Sequence, residues 1–131
     1  SFFIEPSSSS GRIDLISLQH YENPLLAEIK IFSPEKSKNL LYLANGIHQI
    51  YTYTQNYNQS FGYLIVYNTS KSDLGLSLTN VHKGIPYFHY NNKVIYVMSI
   101  DINTQVKTAS KKGKIKYYDF TEEFIAQKII E

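Results

Sequence analysis

Two opposite charges stand two residues apart in an apolar run, Leu25-Leu26-Ala27-Glu28-Ile29-Lys30-Ile31-Phe32. Side chains alternate along a strand, so Glu28 and Lys30 would share a face, roughly 6.6 Å apart along the chain. Burying a carboxylate and an ammonium in a sheet is costly unless they are paired or used. Upstream, Gly11-Arg12-Ile13-Asp14-Leu15-Ile16 sets another carboxylate in another apolar run. An Asp and a Glu-x-Lys on neighbouring strands suit the metal-dependent hydrolysis of a phosphodiester. That reaction must stabilise charge on the phosphoryl oxygens, activate a water and help an alkoxide leave, and Mg²⁺ serves all three needs. Mg²⁺ takes hard oxygen ligands, often one or two carboxylates plus phosphate and water. Asp14 and Glu28 offer the carboxylates, and the Ile29 carbonyl offers a third oxygen. Lys30 would reach the attacking water or the phosphate, as base or as electrostatic stabiliser; the sequence leaves both open. The competing reading is an exposed same-face pair on a half-solvated strand, worth at most about 1 kcal/mol. Asp14 taken alone reads as a strand-end or turn residue.

The elements that must position these residues follow from patterning. Phe2-Phe3-Ile4-Glu5 reads as an edge strand, broken by Pro6 and the serines at 7–10. Residues 11–18 and 25–32 read as strands, and the turn-like His20-Tyr21-Glu22-Asn23-Pro24 favours an antiparallel hairpin. Leu40, Leu43, Ala44, Ile47, Ile50, Tyr51 and Thr54 recur at helical spacing, which predicts a helix over about 38–58. The nearly continuous apolar run Gly62-Tyr63-Leu64-Ile65-Val66-Tyr67 reads as a strand covered on both faces. Strand, helix and strand over 25–68 then form a parallel crossover unit. Residues 69–86 are polar and contain Gly75, Gly84 and Pro86, so they are expected to hold a short helix or a long loop. Residues 87–90 are expected to pair with 93–102 across Asn91-Asn92. Asp119 or Thr121 caps a final helix over 122–130.

Four features follow one another in order: Gly11-Arg12-Ile13-Asp14, Glu28-Ile29-Lys30, Gln49-x-x-x-Tyr53 and the strand at 62–67. On these, residues 11–67 resemble the PD-(D/E)xK nuclease superfamily, in its branch with a Gln-x-x-x-Tyr helix motif. The resemblance implies an α/β, restriction-endonuclease-like fold, with a mixed central sheet flanked by helices. Residues 1–131 would form one domain. The chain begins at Ser1 without Met, so a helix that often precedes this core is expected to lie outside it. Catalytic roles are implied for Asp14, Glu28, Lys30, Gln49 and Tyr53, with metal ligation by Asp14, Glu28 and Ile29. The implied cofactor is Mg²⁺, with Mn²⁺ able to substitute. Nucleic acid is the implied partner, DNA before RNA, and a homodimer is compatible with it. The runner-up is a catalytically idle member that binds nucleic acid or a protein; the intact Asp14, Glu28 and Lys30 argue against it.

Gln49 lies nearly opposite the Leu40–Ile47–Thr54 stripe on the helix wheel, beside Tyr42, Tyr53 and Asn56. The wheel by itself gives that side to solvent. The resemblance gives it a cleft, where Gln49 would orient metal-bound water and Tyr53 would bond a phosphate or stack. Other residues carry weaker signals. His20, His48, His82 and His89 have no metal-ligand spacing and read as surface residues, His48 being closest to the motif. Glu5 is a candidate third acid and Arg12 a candidate phosphate contact. Lys107, Lys111, Lys112, Lys114 and Lys116, with Tyr117 and Tyr118 beside them, read as a nucleic-acid contact or a solvated loop.

Composition narrows the classes. The chain has 131 residues, 43% of them hydrophobic, which suits one globular domain. A net charge of +2 gives no global polyanion-binding signature, so any basic surface must be local. The absence of Cys excludes Cys-ligated zinc, iron–sulfur sites and disulfides. No apolar run nears the roughly 20 residues of a membrane span, and no signal peptide is visible. A cytoplasmic protein that does not engage membranes is the expectation.

Overall fold

The computed structural model describes residues 2–3, 15–17, 25–102 and 115–130. In chain order the elements are β1 (Phe2–Phe3), β2 (Leu15–Ser17), β3 (Leu25–Phe32), α1 (Leu40–Asn56), β4 (Phe61–Asn68), β5 (Asp73–Ser77), β6 (Asn80–His82), β7 (Ile85–Tyr90), β8 (Lys93–Asp101), β9 (Tyr117–Thr121) and α2 (Glu122–Ile130). The fold is mixed α/β. Seven strands form a mixed sheet in the order β1-β2-β3-β4-β8-β7-β6, and β5 pairs with β9 in a second, two-stranded sheet. β1, β2 and β3 form an antiparallel meander. β3, β4 and β8 are parallel. β7 and β6 then close the far edge antiparallel.

The β3–α1–β4 unit is local chemistry made visible. A Pro34–Lys36 turn ends β3, and the Asn39 side chain caps α1 by accepting from the Tyr42 N–H at 3.1 Å. The helix leaves at Asn58, which takes a left-handed φ of 54°. α1 covers one face of the sheet, where Leu26, Phe32, Leu64, Val66, Ile95 and Val97 join Leu43, Ile47 and Ile50 in one core. α2 packs beside α1, and its Ile125 and Ile129 enter the same core. Thr121 Oγ1 caps α2 by accepting from the Phe124 N–H, whereas Asp119 accepts from the Ser77 hydroxyl.

Two expectations change. Residues 69–86 are neither a short helix nor one long loop. Asn68 accepts from the Ser70 N–H and hydroxyl and donates to the Ser72 carbonyl, which forms a buried polar turn. β5 and β6 follow, and β5 finds its partner in β9 more than forty residues on. Nor is β4 covered on both faces. Leu64 and Val66 are buried under α1, but Tyr63, Ile65 and Tyr67 on the other face are only half-buried. Ile29, Ile31 and Phe61 on that face are exposed.

Candidate active site

β3 alternates as its spacing requires. Leu26, Glu28, Lys30 and Phe32 are buried on the α1 side, while Ile29 and Ile31 are exposed on the other. Glu28 is 3% exposed and Lys30 is 9% exposed, which overturns the reading of an exposed pair. Lys30 Nζ lies 3.5 Å from Glu28 Oε2. At that distance the attraction is about 5 kcal/mol for an effective dielectric near 20. Desolvation of two charges offsets much of it, so packing alone gives little reason to keep the pair. The Lys30 ammonium also sits 4.4 Å from the centre of the Tyr42 ring, a cation–π contact.

Glycine lets the helix come this close. A Cβ on Gly46 would lie 3.2 Å from Lys30 Cγ and 2.9 Å from Leu64 Cδ1. One turn later Ile50 rests on Gly62, beside the Leu26 carbonyl. Residues 46 to 50 of α1 therefore run over Lys30 to Leu26 of β3, antiparallel to the strand. Gln49 on the helix and Glu28 on the strand both fall inside that interval. The Gln49 side-chain oxygen is buried and has no hydrogen-bond partner among the described residues. Tyr53, four residues on, is 2% exposed. Of the side of α1 that the wheel gives to solvent, Tyr53 is thus buried and Tyr42 and Gln49 are half-buried, while Asn56 is exposed. Tyr42, Gly46, Gln49 and Tyr53 form one row at i, i+4, i+7 and i+11.

Four of the five catalytic candidates, Glu28, Lys30, Gln49 and Tyr53, belong to this β3–α1 layer. The fifth, Asp14, lies outside the described residues; it directly precedes Leu15, whose β-sheet partner is Ala27, the neighbour of Glu28. Glu5, Arg12, His20, Lys107, Lys111, Lys112 and Lys114 also lie outside the described residues. His48, His82 and His89 are exposed. Tyr117 is exposed, but Tyr118 packs edge-on against Phe32, with ring centres 5.5 Å apart, and so serves the core. Two residues of the layer, Tyr42 and Gly46, went unmarked as site residues in the sequence; their spacing from Gln49 and Tyr53 was the signal that could have found them.

A hard cation would meet hard donors here. The Glu28 carboxylate is held at low exposure, and the orphaned Gln49 oxygen is a neutral oxygen donor, the type that Mg²⁺ and Mn²⁺ accept directly or through water. Among the described residues no three His, Cys, Asp or Glu side chains gather as a metal-binding group. No helix among them is long and apolar enough to cross a membrane. No known family model matches this chain, and no characterised protein or solved structure is significantly similar to it.

Proposed function

We propose that this chain is a metal-dependent nuclease of the PD-(D/E)xK type, with a restriction-endonuclease-like core formed by β1, β2, β3, α1 and β4. The observation that carries the reading is the buried Glu28–Lys30 pair beneath α1, a helix whose Gln49 has a buried side-chain oxygen with no hydrogen-bond partner among the described residues. An antiparallel meander followed by a parallel crossover supports the fold assignment.

Asp14, Glu28 and the Ile29 carbonyl would hold Mg²⁺ or Mn²⁺, which supplies Lewis acidity and an activated water. Lys30 stabilises charge on the reacting phosphate. Gln49 orients the water through its side-chain oxygen. Tyr53, fixed by burial, braces the same wall of the site. The aliphatic stem of Lys30 is pinned beneath Gly46, so the ammonium is already placed when the substrate arrives. DNA is the preferred substrate in this reading, and the cytoplasm its setting.

The test is cleavage of labelled DNA and RNA by the purified chain. Activity should need Mg²⁺ or Mn²⁺, stop with EDTA and vanish in Glu28→Ala. Cleavage that persists in EDTA removes the metal mechanism. Binding without cleavage, in saturating metal, identifies a nucleic-acid-binding module instead.

A further inference from the structure

We propose that Lys38 and Tyr42 form a second phosphate-holding element beside Lys30, so that the site grips two neighbouring phosphates of one strand. This rests on the nuclease reading and extends it from the reacting phosphate to the length of chain the site can hold.

The geometry begins with one ring and two cations. Lys30 Nζ lies 4.4 Å from the centre of the Tyr42 ring and Lys38 Nζ lies 5.8 Å from it. The two ammonium groups therefore stand no more than about 10 Å apart, the Lys30 one buried and the Lys38 one on a half-buried residue at the start of α1. Lys30 faces inward and has the Glu28 carboxylate as counter-charge. Lys38 has no carboxylate within ion-pair distance among the described residues. A cation that meets no acid among the described residues, beside a buried ion pair, is suited to an anion from outside.

Lys38 is also held in place by its backbone. Its N–H donates to the Ser33 carbonyl at 3.1 Å, and its carbonyl accepts from the Ser33 N–H at 2.8 Å. The bridge closes the Pro34–Lys36 turn, and Ser37 takes a left-handed φ of 65° to complete it. Asn39, the next residue, is locked as the cap of α1. Lys38 thus projects from a fixed junction between β3 and α1, and less conformational entropy is lost when it engages a ligand. Tyr42 is the positioning residue: its ring lies within cation–π reach of both ammonium groups.

A linear polynucleotide offers successive phosphodiesters, whereas a mononucleotide offers a single phosphomonoester. Lys30 would take the phosphate being cut and Lys38 its neighbour. Losing one phosphate contact should weaken binding about five- to eightfold at 0.1 M salt, with the salt slope falling by roughly 0.7–0.9.

The experiment is fluorescence anisotropy of labelled single- and double-stranded DNA oligonucleotides against salt, in EDTA so that cleavage does not enter. Lys38→Ala should lower affinity and slope by these amounts, and Lys38→Arg should restore both. Tyr42→Phe keeps the ring and should bind as wild type. Tyr42→Leu should lose slope as Lys38→Ala does; a merely destabilised variant would lose active protein and keep its slope. A Lys38→Ala slope equal to wild type overturns the proposal, and so does an absence of DNA binding. Cleavage in metal is measured separately, so failure of the nuclease reading is distinguished from failure of this one.

Discussion

Gly46→Ala puts one methyl group into the closest contact of the site. In an exposed helix interior this change stabilises by about 1 kcal/mol, because Ala has the better helix propensity. Here the added Cβ would lie 2.9 Å from Leu64 Cδ1 and 3.2 Å from Lys30 Cγ. Leu64 is fully buried, so its methyl cannot simply swing aside. Lys30 is held between Glu28 and the Tyr42 ring. Overpacking of this kind costs about 1–3 kcal/mol. The balance is a net loss of up to about 2 kcal/mol, centred near 1, or a fall in Tm of roughly 3–5 °C for a chain of this size. Relieving the Lys30 contact to an ordinary separation moves its stem by about 0.4 Å. Since a 1 Å misplacement can cost about 10²-fold in rate, turnover should fall roughly sixfold. Denaturant unfolding measures the first effect, and metal-dependent cleavage at saturating substrate measures the second. Asn45→Ala, on the exposed side of the same helix, is the control; it should gain a few tenths of a kcal/mol without touching turnover. A Gly46→Ala protein about 1 kcal/mol more stable than wild type, with unchanged turnover, refutes the close approach of α1 to Lys30.

Lys30→Ala should lower saturated turnover by at least about 10²-fold while affinity for DNA falls less, because the lost group acts mainly in the transition state; equal modest losses in both would reduce Lys30 to a backbone contact. Glu28→Ala should remove Mn²⁺ binding and turnover together, read by calorimetry and cleavage; retained metal affinity would move the centre away from Glu28. At the β7–β8 turn, Asn91 and Asn92 both have positive φ, at 46° and 63°. Asn92→Ala should therefore destabilise by about 1 kcal/mol and Asn92→Gly should not, as judged by unfolding midpoints.

The parts of the fold legible in the sequence were those set by local periodicity. Leu40, Leu43, Ile47 and Ile50 have no good alternative to a helix, and Asn91-Asn92 no good alternative to a tight hairpin turn. The β5–β9 pair was not legible. Asp73-Leu74-Gly75-Leu76-Ser77 meets Tyr117–Thr121 across a long stretch of chain, with the exposed Tyr117 ring lying over Gly75. Neither half announces its partner. The second face of β4 was misjudged for a different reason. Tyr63, Ile65 and Tyr67 count as apolar, so their alternation with Leu64 and Val66 disappears in a hydrophobicity pattern. In the fold the tyrosines sit at half-exposed positions, where Tyr63 stacks on Tyr96 with ring centres 5.3 Å apart. A phenol ring can cover apolar surface while its hydroxyl stays near water.

The site shows the same limit from the other side. Charge type and spacing picked out Glu28 and Lys30, because two ionisable groups are improbable in a core strand unless chemistry keeps them there. The wheel placed Gln49 and Tyr53 on a solvent face because it weighs hydrophobicity and ignores how near a helix can approach. Gly46 reverses that outcome. Without a side chain at 46, α1 closes onto Lys30 and Leu64, and polar atoms of Gln49 and Tyr53 are buried on the same helix. An ordinary core would fill this volume with hydrocarbon, since replacing a buried ion pair by apolar side chains is often neutral or stabilising. Keeping Glu28 and Lys30 under a glycine-thinned helix forgoes that gain. The proposed nuclease function, which needs charge presented to a phosphate in a setting dry enough for the charge to act strongly, would supply a reason to forgo it.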